Sequence, residues 1–309
     1  MDSDLVDRVM QRLIALAVAA SWTPGTAWAH SAGDAVHRRI EEVLLVALLA
    51  VLGIGACLYA KGIRALWRRA GAGRGIRRVQ SINFALGWSA LAVSVLPPLD
   101  DWADRSFAMH MIQHEMLMVV AAPLIVLGRP LDAWTWAVSK RVRHGIAAVG
   151  EWRPLQVLGM VVAVPLGAWI VHAAALWTWH LPSLFRIALA DPLVHIFQHS
   201  CFFFSALVYW WSVFGGRARQ PKGGSIASLF TTMLHTSALG ALITFAPTPW
   251  YVANDASFFG MSALEDQQLG GLIMWVPGGL AYLFAALEIV GRWLSTGTVR
   301  TAGMSRRLS

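Results

Sequence analysis

Two short runs of this chain repeat one pattern, His-x-x-Gln-His: His110-Met-Ile-Gln113-His114 and His195-Ile-Phe-Gln198-His199. On a helix, residues four apart share a face with their Cβ atoms about 6 Å apart, so each pair can close on one metal ion. Two such pairs at one depth supply four imidazole nitrogens, a full set for a tetrahedral or tetragonal ion. Methionines follow the same face: His110, His114 and Met118 step by four, and Met111 precedes His114 by three. Imidazole joined by thioether is a donor set of rising softness and points to copper, Cu(I) in particular. The plainer role of Met111, Met116 and Met118 is to fill gaps in a helical bundle. Zinc suits the histidines without the sulfurs. Haem would take one imidazole from each of two facing helices and leave the second of each pair unused, so a single haem stays open as the alternative.

Other polar side chains are candidates for the same site. His180 and Asp266 fall near the depth of the two pairs and could be further ligands or groups that orient the rings; His172 is a weaker candidate. Asp266 has an equally simple role as a helix N-cap. His172 and His235, taken singly, read equally well as neutral core rings hydrogen-bonded to a neighbour. Glu115, turned about 100° from His114, and the two glutamines Gln113 and Gln198 could hold an imidazole from behind. Cys201 lies about 200° round the helix from His199 and points away. Nothing suggests an enzyme: the chain has no G-x-S-x-G, H-E-x-x-H, phosphate loop or C-x-x-C.

These residues sit in a chain that is 57% hydrophobic and 14% charged, with 16 tryptophans, a composition foreign to soluble domains. Seven apolar stretches approach the ~20 residues that cross a bilayer: 41–60, 79–99, 106–127, 156–177, 192–214, 226–247 and 267–290. The expected fold is an all-α, polytopic membrane bundle of seven helices over residues 41–290. Lys and Arg are distributed unevenly between the connections. Residues 61–78 carry seven, 128–155 five, 215–225 three and the tail from 291 four, all on one side if the spans alternate. The opposite side holds Arg38, Arg39, Arg105 and Arg186. The basic side is cytoplasmic by the positive-inside rule, so the net charge of +8 reflects topology and calls for no nucleic acid.

The start of the chain gives the same orientation. Arg8 and Arg12, an apolar run from Leu13 to Ala20, Pro24 and then Ala27-Trp28-Ala29 have the order of a signal peptide with an A-x-A cleavage site. Cleavage after residue 29 is expected to leave residues 30–40 outside the cytoplasm, with residues 291–309 as a basic cytoplasmic tail. On this topology His110, His114, His195, His199, His172, His180, His30 and His37 gather on the outer side. His235 lies mid-membrane, and His144 is cytoplasmic.

The run from His110 to His114, followed by Leu117-Met118, Ala122-Pro123-Leu124 and Leu127-Gly128-Arg129-Pro130, resembles the CtaG family of cytochrome c oxidase assembly factors. The likeness continues through Trp177-Thr178-Trp179-His180-Leu181-Pro182, His195 with His199, and Tyr209-Trp210-Trp211. It extends to 239–246 and to Asp266-Gln267-Gln268-Leu269-Gly270-Gly271 with Met274-Trp275, so that it covers about residues 79 to 290. Glu115 departs from the apolar residue usual after the second histidine. The resemblance implies a bacterial plasma-membrane protein needed for active caa-type oxidase. It would serve the oxidase copper centres, with oxidase subunits or a copper chaperone as partners and His110, His114, His195 and His199 as ligands. A membrane haem b electron-transfer protein and a metal-free chaperone of oxidase subunits are the competing functions, with a copper transporter behind them.

Overall fold

The computed structural model describes residues 32–153, 156, 159, 165–215, 222–251 and 260–305. The signal peptide expected at 1–29 and His30 lie outside the described residues, and so does the side chain of His37. The chain divides into two units, Met1–Leu48 and Leu49–Ser309; the second carries both His-x-x-Gln-His runs.

All regular structure among the described residues is helical. Five helices are long and apolar enough to cross a membrane: Glu42–Ala70, Phe107–Leu127, Pro192–Phe214, Gly223–Thr244 and Ala263–Ser295. They coincide with five of the seven expected spans. The stretch expected at 79–99 forms an 18-residue helix, Arg78–Val95. The stretch expected at 156–177 is described in full only from Pro165, as the helix Pro165–Trp179. Among the described residues five helices therefore have the length and composition of membrane spans, and the full count of seven is not shown.

We number the helices α1 (Ala32–Ala70), α2 (Arg78–Val95), α3 (Leu99–Ala103), α4 (Phe107–Leu127), α5 (Pro130–Ala137), α6 (Lys140–Gly150), α7 (Pro165–Trp179), α8 (Pro182–Ala190), α9 (Pro192–Phe214), α10 (Lys222–Thr244) and α11, which runs from Ala263 to Ser305. Burial separates a centre from a rim. In α4 the apolar window is 56% buried, against 11% for α1. An apolar helix that the protein leaves uncovered must be covered by lipid, because water would not tolerate it. The most enclosed helix is thus the one carrying the first histidine pair.

Both helices with an internal proline widen there. Pro123 follows a π-helical turn, Met116–Ala121, within α4, and Pro277 lies inside another, Met274–Gly278, within α11. Proline cannot donate the usual backbone bond and its ring clashes with the carbonyl four residues back; a π turn absorbs both problems without breaking the helix. Small residues bring α10 and α11 together. A Cβ on Gly240 would lie 2.8 Å from both the Gly271 carbonyl oxygen and the Trp275 nitrogen, so only glycine allows this approach. At the other end of α4, Tyr59 of α1 stacks on Phe84 and donates its hydroxyl to the Gly128 carbonyl at 2.7 Å.

Candidate metal centre

The His-x-x-Gln-His runs begin one turn inside α4 and α9 because each helix is started by a side-chain cap. Ser106 caps α4, accepting from the Met109 amide, and Asp191 caps α9, accepting from Leu193 and Val194. Four-residue spacing does the rest: the His110 and His114 rings lie 4.3 Å apart and those of His195 and His199 4.2 Å apart. The two helices turn these faces toward each other. His110 is 5.3 Å from His195 and 5.7 Å from His199, and His114 is 5.1 Å from His199. Ligating nitrogens of His110, His195 and His199 all lie within 4.8 Å of one another. Ligands at tetrahedral corners about 2 Å from an ion are about 3.3 Å apart, so modest ring rotations would close the three on one ion.

His180 joins them from just past the end of α7, its ring 6.0 Å from His114. Its Nδ1 lies 2.7 Å from the Leu176 carbonyl oxygen. A carbonyl only accepts, so Nδ1 carries the proton and Nε2 is left with its lone pair, the tautomer that binds metals. The chamber is otherwise apolar. Phe202 packs 4.5 Å from His114 and 5.6 Å from His180 as a floor, and Phe185 lies 4.9 Å from His110. Phe107, Phe185 and Tyr251 form an aromatic cap, with Tyr251 stacked on Phe107 at 4.5 Å.

The polar bookkeeping makes the chamber unusual. Both nitrogens of His110 and His114 and Nε2 of His180, His195 and His199 are buried with no hydrogen-bond partner among the described residues. Buried polar atoms are nearly always paired. Here seven nitrogens on five neighbouring rings lack partners among the described residues, and nitrogens of three of them, His110, His195 and His199, lie close enough together to serve one soft metal cation.

Asp266 and His172 stand apart from this group. The Asp266 carboxylate sits on the N-terminus of α4, accepting from Ser106 Oγ at 2.6 Å, the Phe107 amide at 2.6 Å and the Ala108 amide at 3.1 Å. It does cap a helix, though not its own, and both oxygens are occupied. His172 lies eight residues before His180, about 12 Å down the helix. Ser205 gives its proton to the Phe202 carbonyl and so accepts from His172 Nδ1 at 3.1 Å, while Tyr282 donates to Nε2 at 3.4 Å. Both of its nitrogens are used. His235 is not part of this group either: its ring lies 5.5 Å from Trp169, and its nitrogens have no hydrogen-bond partner among the described residues. His144 is exposed on α6.

The residues expected to orient the rings do other work. Gln113 donates 2.7 Å bonds to the Ser94 carbonyl and to Asp100, tying α4 to α2 and α3. Burial pushes the Asp100 carboxyl above its usual range, an effect the Gln113 bond opposes. Glu115 faces α11, where a Cβ on Gly278 would lie 2.7 Å from its Oε2. Met111 also turns to α11, against Gly270. Gln198 is fully buried and neither of its polar atoms has a partner among the described residues. Cys57 and Cys201 are free thiols outside the group.

Neither Gln267, which the sequence offers only within a family block, nor Tyr251 was expected to have a role at the site. Gln267 accepts from the Trp250 and Tyr251 amides at 2.5 and 3.1 Å and donates to the Ile243 carbonyl at 3.2 Å, while Tyr251 donates its hydroxyl to the His180 carbonyl at 2.5 Å. Together they pin the cap over the histidines.

This chain is similar to mycobacterial proteins described as uncharacterized. Those of Mycobacterium bovis and Mycobacterium tuberculosis are each 26% identical over 262 residues, and that of Mycobacterium leprae is 24% identical over 270. Each match covers 82% of this chain and 39% of the relative, so the chain spans about two fifths of the length of the curated relatives it matches. No solved structure matches it. The model of the family described as cytochrome c oxidase caa3 assembly factor (Caa3_CtaG) matches residues 57–296, a stretch that contains all five chamber histidines, and the chain belongs to that family.

Proposed function

We propose that this assembly factor holds copper in the five-histidine chamber, near the extracytoplasmic face of a bacterial plasma membrane, for delivery to a cytochrome c oxidase subunit. The single observation that carries the reading is the set of seven buried imidazole nitrogens without partners. Each such group costs about 1–3 kcal/mol to leave unpaired, a burden that a bound cation would relieve.

Charge favours Cu(I) over zinc. The ligands are neutral and the walls are phenylalanine, and the cost of burying an ion grows as the square of its charge, about four times greater for a dication. A monovalent soft ion also accepts two, three or four nitrogens, so it can pass between overlapping sets of the five rings. The inner position of the basic connections at 61–78 and 128–155 supports an outward-facing chamber. A chamber on that side suits a partner that receives copper there, either an oxidase subunit or a copper chaperone.

The test is metal content after anaerobic purification and exposure to Cu(I) in a competing chelator. Wild type is expected to hold about one copper per chain, and the double variant His110→Ala/His114→Ala less than about a tenth of that, since it loses two of the converging ligands. Equal copper in both proteins overturns the reading and leaves a metal-free chaperone of oxidase subunits. A Soret band in the purified protein would restore the haem alternative.

A further inference from the structure

The end of α4 away from the histidines has a different character. Gly128, about 27 Å along the helix from His110, accepts from Tyr59 of α1, and α1 runs on from there through Lys61, Arg64, Arg68 and Arg69. The loop to α2 adds Arg74 and Arg77, and Arg78 opens α2. All seven cations are exposed, and residues 61–78 contain no Asp or Glu. The ion pair between Arg129 and Asp132 of α5 involves none of them. The loop itself is pinned. Gly71, Gly73 and Gly75 take φ of 92°, 79° and 79°, backbone that suits glycine. Trp67 donates its ring N–H to the Ile76 carbonyl at 2.9 Å, and Ile76 is buried. Arg74 and Arg78 lie back across this loop: a Cβ on Gly71 would be 3.6 Å from Arg74 Cδ, and one on Gly73 3.9 Å from Arg78 Cγ. Beside them α5 packs on α1, with Trp134 donating to the Gly55 carbonyl at 3.0 Å and Arg69 lying 5.5 Å over the Trp136 ring. The next helix, α6, opens with Lys140, Arg141 and Arg143, which are also exposed.

We infer that this basic end is a binding surface for the phosphate headgroups of anionic phospholipid, with Arg74 and Arg78 at its centre. The inference is independent of the copper reading. Topology accounts for an excess of cations between spans, but not for their fixed placement. Arg68 and Arg69 suit the C-terminus of α1, whereas Arg77 and Arg78 stand at the N-terminus of α2, where the helix dipole disfavours a cation. Guanidinium groups held together on a pinned turn repel one another. An anion between them removes that repulsion and gains charge-assisted hydrogen bonds. What stands beside the cations favours a lipid over a free anion. Val79 and Ile82 of α2, Leu131 of α5 and Val142 of α6 are exposed apolar side chains on the helices that carry the charges. Acyl chains cover such side chains while the phosphates meet the arginines, and each cation near an anionic lipid surface adds to the attraction. Inorganic phosphate makes no use of the apolar residues.

Tetraoleoyl cardiolipin and dioleoylphosphatidylcholine are the probes, each titrated in detergent onto the full-length protein, with bound lipid counted by native mass spectrometry. Wild type is expected to bind cardiolipin roughly tenfold or more tightly than phosphatidylcholine. Arg74→Gln/Arg78→Gln should weaken cardiolipin binding roughly fivefold to thirtyfold, the effect of two cations at an anionic surface. Arg105→Gln/Arg186→Gln removes two exposed cations from the histidine end and should change cardiolipin binding by less than about twofold, since those charges lie well beyond the screening length. Equal binding of the two lipids by wild type overturns the inference. So does unchanged cardiolipin binding in Arg74→Gln/Arg78→Gln, or equal weakening by Arg105→Gln/Arg186→Gln. Displacement of cardiolipin by about 10 mM inorganic phosphate, beyond what sodium chloride of the same ionic strength achieves, also overturns it and makes the surface a site for free phosphate.

Discussion

Asp266→Asn separates two roles that sequence alone could not distinguish, a metal ligand and a helix cap. The carboxylate receives three donors, the Ser106 hydroxyl and the Phe107 and Ala108 amides, on its two oxygens. Asparagine keeps the shape but replaces one oxygen with an amino group. Whichever way the amide turns, at least one donor of α4 then faces another donor. Hydrogen bonds to a charged acceptor contribute about 1.5–3 kcal/mol each, and a carboxylate at a helix N-terminus adds roughly 0.3–2 kcal/mol through the helix dipole. Loss of one bond and of the charge therefore costs about 2–4 kcal/mol. At roughly 2–4 °C per kcal/mol for a chain of this size class, the metal-free protein should unfold about 5–15 °C lower, as followed by tryptophan fluorescence in detergent. Copper bound per folded chain should stay at the wild-type level, since the carboxylate has no part in the chamber. An unchanged unfolding temperature together with lost copper would refute the cap and make Asp266 a ligand.

His180 and His172 make a matched pair on α7. His180→Ala should weaken copper binding by about tenfold to a hundredfold, measured by competition with a chelator, as is typical when a site loses a ligand or its support. His172→Ala should leave copper binding unchanged and lower the unfolding temperature instead, because it strands the Tyr282 hydroxyl at a cost of about 1–3 kcal/mol. Gly240→Val should cost about 1–3 kcal/mol or more in thermal unfolding, since the added carbons meet the backbone of Gly271 and Trp275 rather than a side chain that can move; a neutral result would mean that α10 and α11 are further apart than described.

The legible parts of this molecule are local. Four-residue spacing put His110 with His114 and His195 with His199, and apolar runs of membrane length located five spans, because both patterns are read within one helix. That the two pairs meet followed from placing them at one depth, which is also short-range information about where each span begins. Partners of the polar residues were not legible. Asp266 sits 160 positions from Ser106, and Tyr251 sits 71 from His180; no periodicity in either segment says which donor the other end will find. Glu115 and Gln113 were expected to lean on imidazoles because they adjoin His114 in sequence, yet neighbours on a helix point about 100° apart, and each serves a different adjoining helix.

The latches and the unpaired nitrogens belong to one energetic design. Five imidazoles crowded in an apolar chamber would lower their energy by rotating toward backbone carbonyls or water, as His180 has done with Nδ1 and His172 with both nitrogens. The frame around the other rings limits how far they can turn. Asp266 locks the first turn of α4, Gln113 holds α4 to α2 and α3, and Gln267 with Tyr251 holds the cap on His180. These bonds are buried and made to backbone or to charged groups, the class that resists local opening most. A frame with weaker latches would let the rings find partners among themselves and the backbone. On the copper reading proposed above, the polar residues that touch no imidazole keep the chamber unsatisfied and so ready for a cation.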